Sequence, residues 1–390
     1  MEIKQIFVGG WFQRTRLHLG EIYDFLRVAE SPLALDKKRL ESLRASLEID
    51  TLKLQVDQLE YIMLTSGEVK VKIFEDGLIV LGTHHSHDLQ ADIKRLTSYY
   101  EEQLSPAIGY IFSLGAPVPK ELANIKTVYP YFVTTTNASE KRVNELFDEF
   151  TQERYFTVNG ESFDIYRGDK LYIINQNSVS DDEVERFVGE QIFVREFRGQ
   201  LHRYLNLHRT IWERIADVVE RGEMIGSDIP AFKSKVDEYA KTISFIGTRI
   251  NQMDTYLLTR KNVSDSDPKL VRFQEVLGYK HEALGDTLEY IKDIWTLTRE
   301  YVASASQVFS DLAAKSTGNS VKNLTIVTSM GVGATLIGLF TTKTLPQFTL
   351  VGVGYFFALA LLGYLVNKGL GVWSARKRYP IRVVEVAKDI

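Results

Sequence analysis

The chain has 390 residues, of which 25% are charged, with a formal net charge of −4 and no cysteine. The missing cysteines exclude disulfides and thiolate chemistry, and the slightly acidic balance gives no global attraction to nucleic acid, so no nucleic-acid partner is expected. The opening stretch MEIKQIFVGGWFQRTR lacks the charged start, apolar core and small-residue cleavage site of a signal peptide, so most of the chain is expected to stay on the side where it is made.

Residues 1–177 read as a cytoplasmic α/β domain. Strands are expected at Ile3–Phe12, at Glu68–Phe74 with its alternating VKVKIF, at Leu78–Leu81, Ala107–Phe112 and Val128–Thr134, and in the pair YFTV and SFDIY. Asp76-Gly77 and Asn159-Gly160 lie between such runs and predict hairpins, because two-residue turns need the positive φ that Gly supplies. Helical patterns occupy Pro32–Leu59, Asp88–Gln103 and Ser139–Phe150, which makes a sheet with covering helices, an α+β arrangement. In THHSHD, His84, His85, His87 and Asp88 follow a strand. Imidazoles at alternate strand positions could share a zinc ion, and Ser86 or Asp88 equally suits the N-cap of the next helix. Gly9-Gly10 is too short for a phosphate-cradling fingerprint.

Residues 178–320 change to a helical period, as long stalk helices. Ser180 and Glu183 form a capping box that opens a helix to about Arg221, with the stripe Phe197, Leu201, Tyr204, His208, Ile211, Ile215, Val218. After a turn at Gly222–Pro230, the stripe Phe232, Val236, Tyr239, Ile243, Ile246, Ile250, Met253, Leu257 alternates steps of four and three, as in a coiled-coil seam. Asn262–Pro268, NVSDSDP, offers Asp265 and Asp267 either as cation-attracting carboxylates or as turn and cap, with Pro268 at a helix start. The third stripe runs Leu270, Phe273, Leu277, Leu284, Leu288, Ile291, Trp295, Val302, Ala305, Phe309, Leu312, and Lys280 or His281 and Thr298 occupy the turns it skips. Unbroken to Phe340, this helix would be roughly 110 Å long.

Leu324–Phe340 and Phe348–Val366 contain no Asp, Glu, Lys or Arg, and each approaches the roughly 20 residues that cross a ~30 Å hydrocarbon core. A two-helix transmembrane hairpin is therefore expected over 321–368, with spans 324–340 and 348–366 and a basic tail at 369–390. Lys322, Lys368, Arg376, Lys377 and Arg378 outside the hairpin, against Lys343 alone in its turn, place both termini in the cytoplasm of a multi-pass inner-membrane protein. Val321, Leu324, Thr328, Val332, Thr335, Leu339 and Thr342 share one face of the first span, with the mixture of hydroxyl and apolar groups that suits a pore lining. Lys343 and Thr344 would stand at the outer mouth.

An α/β domain, a long helix that becomes the first span, a short outward turn, a second span and a basic tail, together with NLTIVTS…GATLIGLF, resemble the CorA-type metal ion transporters. The family's Gly-Met-Asn before the turn is absent, and Thr341-Thr342-Lys343-Thr344-Leu345 stands there. The resemblance implies a homopentamer in the lipid bilayer, with the first span lining a pore gated by the cytoplasmic domain. It implies no cofactor beyond a divalent cation such as Mg²⁺, as transported ion or gating ligand. In such an assembly Lys343 would put a ring of positive charge at the entrance, which suits anions. The second reading is a membrane-tethered sensor or effector whose cytoplasmic domain binds a signal. With no nucleophile or paired-carboxylate motif, an enzyme is not expected.

Overall fold

The computed structural model describes residues 1–12, 18–56, 59–112, 129–220, 222–341, 357–358, 361–362, 364–366, 368–369, 372–373 and 375–381. They fall into two units, one made of 1–205 with 245–293 and the other of 206–244 with 294–390.

The first unit is built on a nine-stranded sheet in the order β2-β3-β4-β5-β1-β6-β9-β8-β7. The strands are β1 Glu2–Trp11, β2 Thr51–Gln55, β3 Tyr61–Ser66, β4 Val69–Phe74, β5 Leu78–His84, β6 Tyr131–Thr136, β7 Phe156–Asn159, β8 Phe163–Arg167 and β9 Leu171–Gln176. Neighbours run antiparallel except β6 and β9, which are parallel. Among the described residues five short helices accompany the sheet: α1 Leu19–Val28, α2 Lys37–Ser46, α3 Leu89–Ser98, α4 Ser105–Ile111 and α5 Glu140–Glu149. A π-helical turn, Tyr99–Leu104, joins α3 to α4.

Because successive strand side chains point to opposite faces, each strand serves two layers. Ile6, Val8, Ile62, Leu64, Val71, Ile73, Ile79, Leu81, Val133 and Ile173 enter one core with Ile22, Phe25, Leu96 and Leu146 of the short helices. The alternate residues meet two long helices, α6 Asp181–Glu220 and α7 Ile229–Ser266, and the 3-10 turn Val271–Phe273 that leads into a third, α8 Gln274–Thr341. On this side the Trp11 ring lies 5.7 Å from Phe193 and 6.1 Å from Tyr256, and Phe163 lies 4.5 Å from Phe273, which stacks on Phe187 at 4.2 Å. The capping box holds, with the Ser180 backbone N–H donating to Glu183 Oε2 at 2.7 Å and the Glu183 N–H donating to Ser180 Oγ at 3.3 Å.

Local expectations change, among them the start of the third long helix, which lies at Gln274 and not at Pro268. Ala107–Phe112 is helix, not strand, because Leu104, Ala107, Ile108 and Ile111 bury at helical spacing. The expected helix over Pro32–Leu59 stops at Ser46, where Glu48 takes a positive φ of 46° and β2 follows.

The second unit holds its own contacts. Phe232 packs edge-on against Phe309 at 4.6 Å, Trp212 stacks on Tyr301 at 4.2 Å, and Ser306 Oγ donates to Asp237 Oδ1 at 2.9 Å. Glu223–Ile225 (β10) pairs antiparallel with Arg378–Pro380 (β11), so part of the expected tail is a strand.

The transmembrane hairpin is not found: among the described residues no helix is long and apolar enough to cross a membrane. The apolar run 324–340 is the last part of α8. At about 1.5 Å per residue it reaches about 26 Å, short of a ~30 Å hydrocarbon core, and Lys322 precedes it. The second run, 348–366, lies largely outside the described residues. The inner-membrane placement and the description as a membrane channel fall with the hairpin, and the α+β unit with its long helices remains of the expected fold class.

In the β4–β5 turn Gly77 has φ +92°, and a Cβ there would lie 2.0 Å from the Phe12 carbonyl oxygen. Gly77→Ala is expected to lower stability by about 2–3 kcal/mol, read as a lower urea midpoint with unchanged slope. A loss below about 0.5 kcal/mol would contradict this geometry.

Candidate functional site

The tight β4–β5 turn places Asp76, only 3% exposed, beneath the long helices of the first unit. Its Oδ1 accepts from the Leu78 backbone N–H at 3.2 Å and from Arg260 Nη2 at 2.8 Å, and its Oδ2 accepts from Arg260 Nε at 2.5 Å. Arg260, on α7 and 2% exposed, donates through Nη1 to Glu190 Oε1 on α6 at 2.8 Å. Its guanidinium lies 4.8 Å from the Phe74 ring and 5.4 Å from the Phe193 ring. Burial opposes this charge, but Asp76 and Glu190 outweigh it and hold the Arg260 pKa above its ordinary value. The two-pronged contact with Asp76 is the strong form of an arginine–carboxylate pair.

The other Glu190 oxygen, Oε2, is 3.6 Å from Nε2 of His281 on α8, a fully buried ring. That separation exceeds a hydrogen bond, and neither Glu190 Oε2 nor either His281 nitrogen has a hydrogen-bond partner among the described residues. Beside this network, Lys72 Nζ is 2.7 Å from Glu185 Oε1 and Arg186 Nη1 is 2.9 Å from Asp267 Oδ2. Burial pulls the Lys72 pKa below its usual range, with Glu185 opposing. Lys72, Glu185, Arg186, Glu190, Arg260 and Asp267, with apolar neighbours, line a cavity of about 50 Å³. It has room for an ion or a few waters, far less than the ~300–1,000 Å³ of a typical organic-ligand pocket.

The histidine run is organised around a residue outside the motif. Asp92, fully buried on α3, accepts from His85 Nδ1 at 2.8 Å and from the Ser86 N–H and Oγ at 3.0 and 2.8 Å. Burial raises the Asp92 pKa, and the bonds from Ser86 and His85 outweigh that and hold it below the ordinary carboxylate range. Asp88 caps α3, accepting from the Gln90 and Ala91 N–H groups at 2.9 and 3.3 Å, while His84 and His87 are exposed. Asp265 is exposed and Asp267 is buried, its Oδ1 capping the Lys269 N–H at 2.9 Å. Among the described residues no group of three or more His, Cys, Asp or Glu side chains converges to hold a metal ion.

Of the expected pore face, Thr328 and Val332 are exposed on α8, and Thr328 Oγ1 donates to the Thr325 carbonyl at 3.0 Å. Val321, Leu324, Thr335 and Leu339 lie within α8, while Thr342, Lys343 and Thr344 lie outside the described residues. Sequence reasoning read Asp76 only as a turn residue and passed over Glu190 and Arg260. A signal existed for one of them: Arg260 prolongs the seam Met253, Leu257 by a step of three, a cation where the pattern calls for an apolar residue.

No protein-family model matches this chain, and no curated protein matches it. The likeness to CorA-type transporters therefore rests on the sequence layout and the run NLTIVTS…GATLIGLF alone.

Arg260→Met should cost about 3–5 kcal/mol of unfolding free energy, because it strands two buried carboxylates. Adding Asp76→Asn and Glu190→Gln should recover part of that loss in the same urea titration. A single-variant loss under about 1 kcal/mol would show that the pairs are not formed. For Asp92, a depressed folded pKa contributes stability that is present above the unfolded value of about 3.9 and is lost as pH falls through the folded value. Asp92→Asn should therefore be less stable than the parent at pH 6 and show a flatter decline in stability below about pH 4. Parallel declines in both proteins would contradict it.

Proposed function

We propose that this chain is a non-enzymatic, ligand-responsive regulator: the first unit senses a small charged ligand on the helix side of its sheet, and α6, α7 and α8 carry the response. The observation that supports it is the Arg260 network. One buried cation ties a sheet turn to α6 and α7, and His281 of α8 stands next to its second carboxylate. Ion pairs of this kind add little net stability over apolar packing but are costly to break, so they favour one discrete arrangement over intermediate ones. A ligand that exchanges one partner of the network shifts the population of that arrangement by its difference in affinity. Ion conduction, implied by the family resemblance, required two membrane spans and is not part of this reading.

Hydrogen exchange of the full chain with MgCl₂, inorganic phosphate and AMP, each against NaCl at matched ionic strength, tests the proposal. At least one probe should change amide protection along α6–α8, and Arg260→Met should remove that change. Identical protection with all three probes would overturn it.

A further inference from the structure

We propose that Arg167, Lys280 and Arg195 form a binding site for a phosphate-class oxyanion, reached past the exposed ring of Tyr155. As the ligand of the sensor this oxyanion rests on the preceding reading; as a binding site it stands alone.

The three cations come from different elements of the first unit, Arg167 from β8, Arg195 from α6 and Lys280 from α8. Lys280, half-buried, donates to Gln191 Oε1 on α6. At position 191 the chain has an amide and not a carboxylate, so the ammonium charge is left without a counter-ion there. Gln191 is 5% exposed, and its Nε2 has no hydrogen-bond partner among the described residues. Arg195 lies one turn along α6, on the same helix face. Its Nη2 serves the Gly9 carbonyl at 3.3 Å and Glu196 Oε1 at 2.6 Å, while its Nε and Nη1 are unpartnered among the described residues. Arg167 Nε is unpartnered in the same sense. Its guanidinium lies 5.0 Å from the Tyr172 ring and 5.5 Å from the Tyr155 ring, so it runs from the interior toward the surface, where Tyr155 is 54% exposed.

This group therefore combines three cations, one carboxylate already taken by Arg195, and a surplus of N–H donors. Shielded donors and charges without acceptors are costly, and a ligand that supplies acceptor oxygens and negative charge relieves both costs. Guanidinium edges and an ammonium match phosphate geometry. Burial, and after it the nearby Arg167 charge, lowers Lys280 to a pKa of about 8. The groups facing it are Arg167 and Gln191, and the Tyr172 ring lies against Arg167. A bound anion would favour the charged amine, so binding near pH 8 should take up a proton.

Calorimetric titration of the full chain with sodium phosphate at pH 8, against chloride at matched ionic strength and in two buffers of different ionisation enthalpy, tests the site. The parent should bind phosphate with net proton uptake. Lys280→Met removes a half-buried charge and should fold, yet bind at least about tenfold more weakly and lose the uptake. Arg195→Gln should weaken binding without abolishing uptake. AMP and phosphatidylinositol-phosphate vesicles separate the sources: tighter binding of either with the same Lys280 dependence supports the site and names the phosphate carrier. No binding of any of the three, or equal binding and uptake in Lys280→Met, would overturn it. Binding with unchanged amide protection along α6–α8 would keep the site and remove the sensor reading, and a Mg²⁺-driven change in protection without phosphate binding would do the reverse.

Discussion

The helix side of the sheet depends on the buried charge of Arg260. A guanidinium at 2% exposure is tolerated only where carboxylates compensate it, and Asp76 and Glu190 do so from two directions. Asp76 is available because the β4–β5 connection is a tight turn whose Gly77 accepts φ +92° against the Phe12 carbonyl. Trp11 Nε1 fixes the same turn by donating to the Asp76 carbonyl at 2.9 Å. A local Asp-Gly preference is thus linked, through one side chain, to the packing of α6 and α7 on the sheet.

Buried ion pairs of this kind often add little net stability over apolar residues of similar volume but are costly to break. They set which faces of α6 and α7 meet β4 and β5. Two successive residues of α6 then divide the helix side between two chemistries. Glu190 belongs to the Arg260 network with His281, whereas Gln191 faces Lys280. The change from acid at 190 to amide at 191 separates a region where carboxylates surround a cation from one with surplus positive charge.

Much of this fold was legible where a local signal is strong. The hairpins at Asp76-Gly77 and Asn159-Gly160, the capping box at Ser180 and the three apolar stripes all depend on neighbours in sequence, and the stripe residues from Leu270 to Leu312 are buried as read. Strand β9 escaped notice because it is buried on both faces and so lacks alternation. Strand β2 escaped because it is a largely exposed edge that follows a helix without a break in charge pattern. The apolar runs near the end were read by composition, which reports hydrophobicity and not what the run is packed against. The Arg260 network joins residues 70 and 184 positions apart, a distance at which no sequence period operates. His281 and Lys280 were visible only as interruptions of a stripe, and their chemistry came from what α6 places opposite them.

The central claim, that Arg260 couples the β4–β5 turn to the long helices, is tested most directly by native-state hydrogen exchange in Asp76→Asn. The account predicts that opening free energies fall together for amides of β5 near Leu78 and for amides of α6 and α7 around Glu190 and Arg260. A fall confined to the β4–β5 hairpin, with both helices unchanged, would contradict it.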